Sequence, residues 1–176
     1  MGGIIAALVR LLVPLIMFRR PLLGALLSIV ADTCDIVIFN LWGWPSIPYT
    51  QWDKAFDLYY LTIELWLTRR WAPLERHVSF ALFGWRLVGV ALLEALGWRA
   101  TLFLFPNVFE WWFLLVLLRN SFRPGYRFTA ARTVAWLVAL LIPKLGQEYV
   151  LHVGRYLDRW VLADLVRSLW HSLTGR

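Results

Sequence analysis

The sequence predicts an all-α, polytopic integral membrane helix bundle of about six transmembrane helices, followed by a C-terminal amphipathic helix. Three observations predict it. Hydrophobic residues make up 60% of the 176 positions and charged residues only 16%, against about 25% charged in an ordinary globular domain. The charges concentrate in short connections between apolar runs, most of which approach the roughly 20 residues that a helix needs to cross a bilayer. Twelve tryptophans suit two interfacial belts, where an indole is apolar on one side and wet on the other. In this reading residues 1–144 form one spanning domain and residues 145–176 the amphipathic segment, in the cell (cytoplasmic) membrane. The net charge of +7 then serves lipid headgroups and topology, and nucleic acid is not an expected partner.

Residues 4–18 read as a short first span or a helix lying partly in the interface. Arg10 interrupts the apolar stretch and no positive n-region precedes it, so it does not read as a secretory signal. Arg19 and Arg20 close a tight turn before Pro21, a residue tolerated at a helix start. The second span covers residues 21–42. Gly24 and Ser28 give it a small-residue face that lets a neighbouring helix approach closely, and Asp32 lies one turn further along that stripe, toward the bundle. Cys34, the single cysteine, excludes an intrachain disulfide and a thiolate cluster and reads as a packed core thiol. Pro45 and Pro48 then prevent a continuous helix.

The third span, residues 51–71, carries Asp53, Asp57 and a mid-span Glu64. The fourth, residues 77–98, carries Arg86 and Glu94. Arg86 is the expected partner of Glu64, because both lie about half a span from the same basic loop. The fifth, residues 99–118, contains Pro106, Asn107 and Glu110. The proline frees a backbone carbonyl, and Asn107 either satisfies it or lines a cavity. The sixth, residues 129–142, ends at Pro143. Beyond it Val150, Val153, Leu157, Trp160 and Val161 recur at helical spacing, with Arg155, Asp158 and Arg159 on the other side. That pattern fits a helix lying in the interface, or one docking onto a partner.

Four acids in this framework need explaining. Asp32 and Asp35 are three residues apart and Asp53 and Asp57 four apart, so each pair shares one face of its own helix. Ionised together at bilayer depth they would repel, and each would be costly to hold there. A divalent cation shared between the helices removes both problems. Magnesium or manganese suits such a site, with a few carboxylates and the remaining positions filled by water or phosphate. The alternative is that the acids pair with nearby arginines or line a wet cavity. Arg119, Arg123, Arg127 and Arg132 read as a topology signal, with headgroup binding as the alternative. Together with Arg19, Arg20, Arg69, Arg70 and Arg76 they fall in the odd-numbered connections, whereas only Lys54 and Arg99 fall in the even ones. The positive-inside rule therefore puts both termini and the acid-bearing loop outside.

The intervals between the four acids are those of the CDP-alcohol phosphotransferase signature, D-x2-D-G-x2-A-R-x8-G-x3-D-x3-D. The chain resembles a divergent member of that superfamily. All four acids match, while Ile36, Phe39, Asn40 and Tyr49 stand where the signature has its Gly, Ala, Arg and second Gly. The resemblance implies a metal-dependent transferase of phospholipid biosynthesis that moves a substituted phosphate group to an alcohol. Asp32, Asp35 and Asp53 would hold Mg or Mn on the diphosphate, and Asp57 would be the catalytic general base. Membrane lipids and a lipid-linked phosphate substrate are the implied partners. The resemblance also places the acids on the cytoplasmic side, against the charge bias. Ile36 and Tyr49 take the room that the glycines leave, and Asn40 lacks the arginine's charge, so poor binding of CDP-alcohols is expected. A second reading is a non-catalytic subunit or scaffold that keeps this fold. It would pair with another copy or with another chain of a membrane complex, its C-terminal helix serving as the docking element.

Overall fold

The computed structural model describes residues 2–42, 49–97, 100–149 and 172, which are helical or in short turns, with no strand among them. In order they form α1 (Gly2–Leu12), a 3-10 segment (Val13–Phe18), α2 (Pro21–Trp42) and α3 (Tyr49–Thr68). Then follow α4 (Pro73–Leu96), α5 (Ala100–Leu104), α6 (Val108–Phe122) and α7 (Ala130–Glu148). The all-α class expected from the sequence is what the structure has.

The first apolar run is not one helix. Pro14 has no N–H to continue the α ladder, and the chain tightens into the 3-10 segment from Val13. α2 begins at Pro21, as the sequence suggests, and lies hard against that segment. A Cβ added at Gly24 would come within 2.7 Å of Met17 Cγ. One turn on, buried Ser28 donates its hydroxyl to the Gly24 carbonyl at 2.8 Å. The small-residue stripe therefore does face the bundle. α4 starts at Pro73 and ends on Gly97, whose φ of 66° lets its N–H cap the Leu93 carbonyl at 2.8 Å.

The expected fifth span is two helices. Pro106 cannot donate, α5 stops at Leu104, and α6 starts again at Val108 with its N–H on the Pro106 carbonyl. α7 differs the other way. It runs through Pro143 to Glu148 and does not stop at residue 142. A proline removes one ladder bond, a loss that packed helices tolerate. Lys144 turns inward just beyond it and reaches Gln147 at 3.0 Å. Cys34 is exposed and so is not a core thiol. The proposed amphipathic segment lies almost wholly outside the described residues.

Met17, Ala25, Tyr60, Leu61, Ile63, Phe109 and Phe113 form the main apolar core, which joins the 3-10 segment, α2, α3 and α6. Beside this apolar core, the molecule exposes large apolar side chains and buries several charged ones. Ile4, Leu12, Val30, Val134 and Ile142 are exposed, while Arg10, Asp57, Glu64, Glu75, Arg86, Glu110 and Lys144 are buried. Among the described residues two stretches, Pro73–Leu96 and Thr101–Phe122, are long and apolar enough to cross a membrane.

Candidate functional site

Arg10 lies in the last turn of α1 with 4% of its surface exposed. Its guanidinium needs acceptors, and two helices supply them. Arg10 Nη2 donates to Asp32 Oδ1 of α2 and, at 2.9 Å, to Asp57 Oδ1 of α3. Phe56 covers the guanidinium, whose centre is 5.4 Å from the ring centroid. Lys54, one turn before Asp57 on α3, donates to Asp57 Oδ2 at 3.1 Å. Arg86 of α4 brings Nη2 to 3.9 Å from the same oxygen, while its Nη1 donates to the Phe105 carbonyl at 3.3 Å. That carbonyl lies at the break which Pro106 imposes. Three cations from three helices thus surround one buried carboxylate.

Two of the four sequence-selected acids, Asp32 and Asp57, do come together. Asp35 and Asp53 lie on α2 and α3, but their side chains are outside the described residues. The atom that joins Asp32 to Asp57 is an arginine nitrogen, the alternative that the sequence left open beside a metal. Both oxygens of Asp57 are engaged, and a divalent ion placed between the two acids would sit against the Arg10 guanidinium. Of the three acids expected to hold Mg or Mn, Asp32, Asp35 and Asp53, only Asp32 has a described side chain, and Arg10 holds it. Among the described residues, no three His, Cys, Asp or Glu side chains gather where a metal could be held.

A second polar centre lies further along α3. Tyr60 donates its hydroxyl to Glu110 Oε1 at 2.8 Å, and Asn107 Nδ2 donates to Glu110 Oε2 at 3.2 Å. Asn107 thus turns to the carboxylate at the start of α6, and its own Oδ1 has no donor. Glu64 is fully buried, and neither of its carboxylate oxygens has a partner among the described residues. Arg86 is therefore not the partner of Glu64. The rotation of α4 delivers it to Asp57 and to the Phe105 carbonyl instead.

The basic loop after α6 is braced from within. Arg119 pairs with buried Glu75, donates to the Tyr126 carbonyl at 3.1 Å and lies 4.9 Å from the Phe128 ring centroid. Arg132 covers Tyr126 and donates to the Arg127 carbonyl at 3.2 Å. Two of the four arginines read as a topology signal are thus also structural. Leu115, Leu118, Phe122, Phe128 and Trp136 line an apolar cavity of about 350 Å³ beside them.

The sequence reading counted Lys54 only as a charge in a connection and gave Arg10 no partner. A lone arginine in an apolar run is the signal that pointed to Arg10, and a lysine one turn before Asp57 is the signal for Lys54. Comparison with protein-family models, curated proteins and solved structures finds no match for this chain.

Proposed function

We propose that this chain is an integral membrane protein that serves as a non-catalytic subunit of a larger membrane assembly, on a scaffold resembling that of the CDP-alcohol phosphotransferases. The observation that carries this reading is Arg10, whose Nη2 bridges Asp32 and Asp57. The guanidinium supplies the countercharge that the resemblance would give to a metal. A carboxylate held by Arg10 and Lys54 is poorly placed to accept a proton from an alcohol. The exposed apolar side chains and the buried charges support a bilayer location, with the 3-10 run and α1 together, α2, α3, α4, α5 with α6, and α7 as six crossings. In that setting the buried charges specify how the helices meet.

The transferase is the second reading, and one observation favours it. Asp32 and Asp57, the first and last acids of the signature, do meet across two helices. In that reading Asp32, Asp35 and Asp53 would hold the metal, and Arg10 would have to leave before Asp57 could act as base.

The test uses the full-length chain in detergent. Manganese is titrated calorimetrically, and thermal shifts are measured with manganese plus CDP-diacylglycerol, CDP alone or polyprenyl diphosphate. No saturable manganese binding and no shift are expected. A ligand at a hundred times its dissociation constant stabilises by about 2.7 kcal/mol. A manganese-dependent shift of that size with any of the three would overturn the non-catalytic reading.

A further inference from the structure

Lys54, Asp57, Tyr60, Glu64 and Thr68 are spaced three or four residues apart on α3, so they share one helix face. All five are buried. At 1.5 Å of rise per residue the stripe runs for about 21 Å. Most of its members are satisfied. Asp57 has its cations, Tyr60 donates to Glu110, and Thr68 donates to the Leu65 carbonyl at 2.8 Å. Glu64 is different: it is 0% exposed and neither oxygen has a partner among the described residues.

Its surroundings make that state informative. Leu61 and Ile63 flank it on α3 within the apolar core that Phe109 and Phe113 complete. Across the interface with α6 lies a like charge, Glu110, held by the hydroxyl of Tyr60, one turn before Glu64 on α3. Two neighbouring carboxylates cannot both stay ionised there without a cation between them. Glu110 is the better equipped to remain an anion. Tyr60 and Asn107 donate to its two oxygens. Lys144 of α7, Arg86 of α4 and Asp57 of α3 are the other charged groups that bear on it. Asn107 Oδ1, buried and without a donor, is an open acceptor beside Glu110.

We propose that Glu64 and Glu110 form a proton-binding site, in which one exchangeable proton resides on Glu64 and Glu110 is its alternative acceptor. Moving the proton from Glu64 to Glu110 leaves Glu64 as the anion, so charge balances and no co-reactant is needed. This assignment does not rest on the subunit reading, because neither Glu64 nor Glu110 is a member of the Arg10 cluster.

The experiment is infrared spectroscopy of the full-length chain in phosphatidylcholine vesicles. A carbonyl band of a neutral carboxylic acid is expected. It should shift on transfer to deuterated water before the helical amides exchange. Glu64→Gln should abolish the band, and Glu110→Gln should retain it. Glutamine mimics the neutral acid, so Glu64→Gln is expected to keep wild-type helicity and melting. Absence of the band, or its survival in Glu64→Gln, would overturn the proposal. A band that exchanges no faster than the amides would do the same, because the proton would be locked in place. Loss of the band on adding sodium or potassium would identify a metal-cation site instead and would equally overturn it.

Discussion

Replacing Arg10 by glutamine is expected to cost about 3 kcal/mol of unfolding free energy. Arg10 is 4% exposed and Asp57 7%, so deleting the guanidinium strands an acid inside the bundle. Breaking a buried pair in this way costs about 3–5 kcal/mol. The lower end applies because Asp57 keeps Lys54 at 3.1 Å and Arg86 at 3.9 Å. Asp32, with 36% of its side chain exposed, also regains water. A loss of about 3 kcal/mol shifts the unfolding equilibrium by more than a hundredfold. The assay is reversible denaturant unfolding of the full-length chain in mixed micelles, run on Arg10→Gln, Asp57→Asn and the double variant. The double variant should lose less than the sum of the singles, by about 1 kcal/mol or more. Losses that add to within about 0.5 kcal/mol would refute the reasoning, since Arg10 and Asp57 would then not be coupled. A wild-type stability for Arg10→Gln would refute it more directly.

Gly24→Ala should destabilise by about 1–3 kcal/mol, because the new Cβ meets the backbone nitrogen of Met17, which cannot rotate away. Gly89→Ala should behave alike against Phe105, and melting of the detergent-solubilised chain checks both. Arg119→Gln should cost about 3 kcal/mol by leaving Glu75 buried without its cation. Exposed Arg70→Gln should stay within about 0.5 kcal/mol, and equal effects in the same unfolding assay would count against the Glu75 pair. Tyr60→Phe removes a hydrogen bond to a buried carboxylate and should cost about 1.5–3 kcal/mol. Tyr59→Phe, whose hydroxyl meets the Leu11 carbonyl in an exposed position, should cost about 1 kcal/mol or less.

What was legible in the sequence was local. Pro21 marks the start of α2 because a proline needs no N–H partner in the first turn. Gly24 and Ser28 mark its packed face because only small side chains allow that approach to Met17. The meeting of Asp32 with Asp57 was legible only from the intervals of a signature. The identity of what joins them was not, since Arg10 is separated from its two partners by 22 and 47 residues, and no periodicity reports such a distance. Arg86 was assigned by depth alone. Depth does not determine the rotation of α4 about its axis, and that rotation sends the side chain to Asp57. Pro106 and Pro143 show the same limit, since identical chemistry breaks one helix and leaves the other continuous.

If the chain crosses a bilayer as proposed, the position of Arg10 also bears on the order in which its helices would enter. The α1 run is 11 residues and the 3-10 run 6, together about 28 Å long at their respective rises, close to one hydrocarbon thickness. An arginine at the middle of a membrane helix resists insertion by about 2.5–3.5 kcal/mol. The acids that neutralise it are synthesised later, Asp57 last of the two. The N-terminal hairpin therefore lacks its full countercharge while it leaves the ribosome, and it gains that countercharge only when α3 arrives. In that setting, insertion of the first half would be a joint event of three helices, completed when α3 brings Asp57 to Arg10.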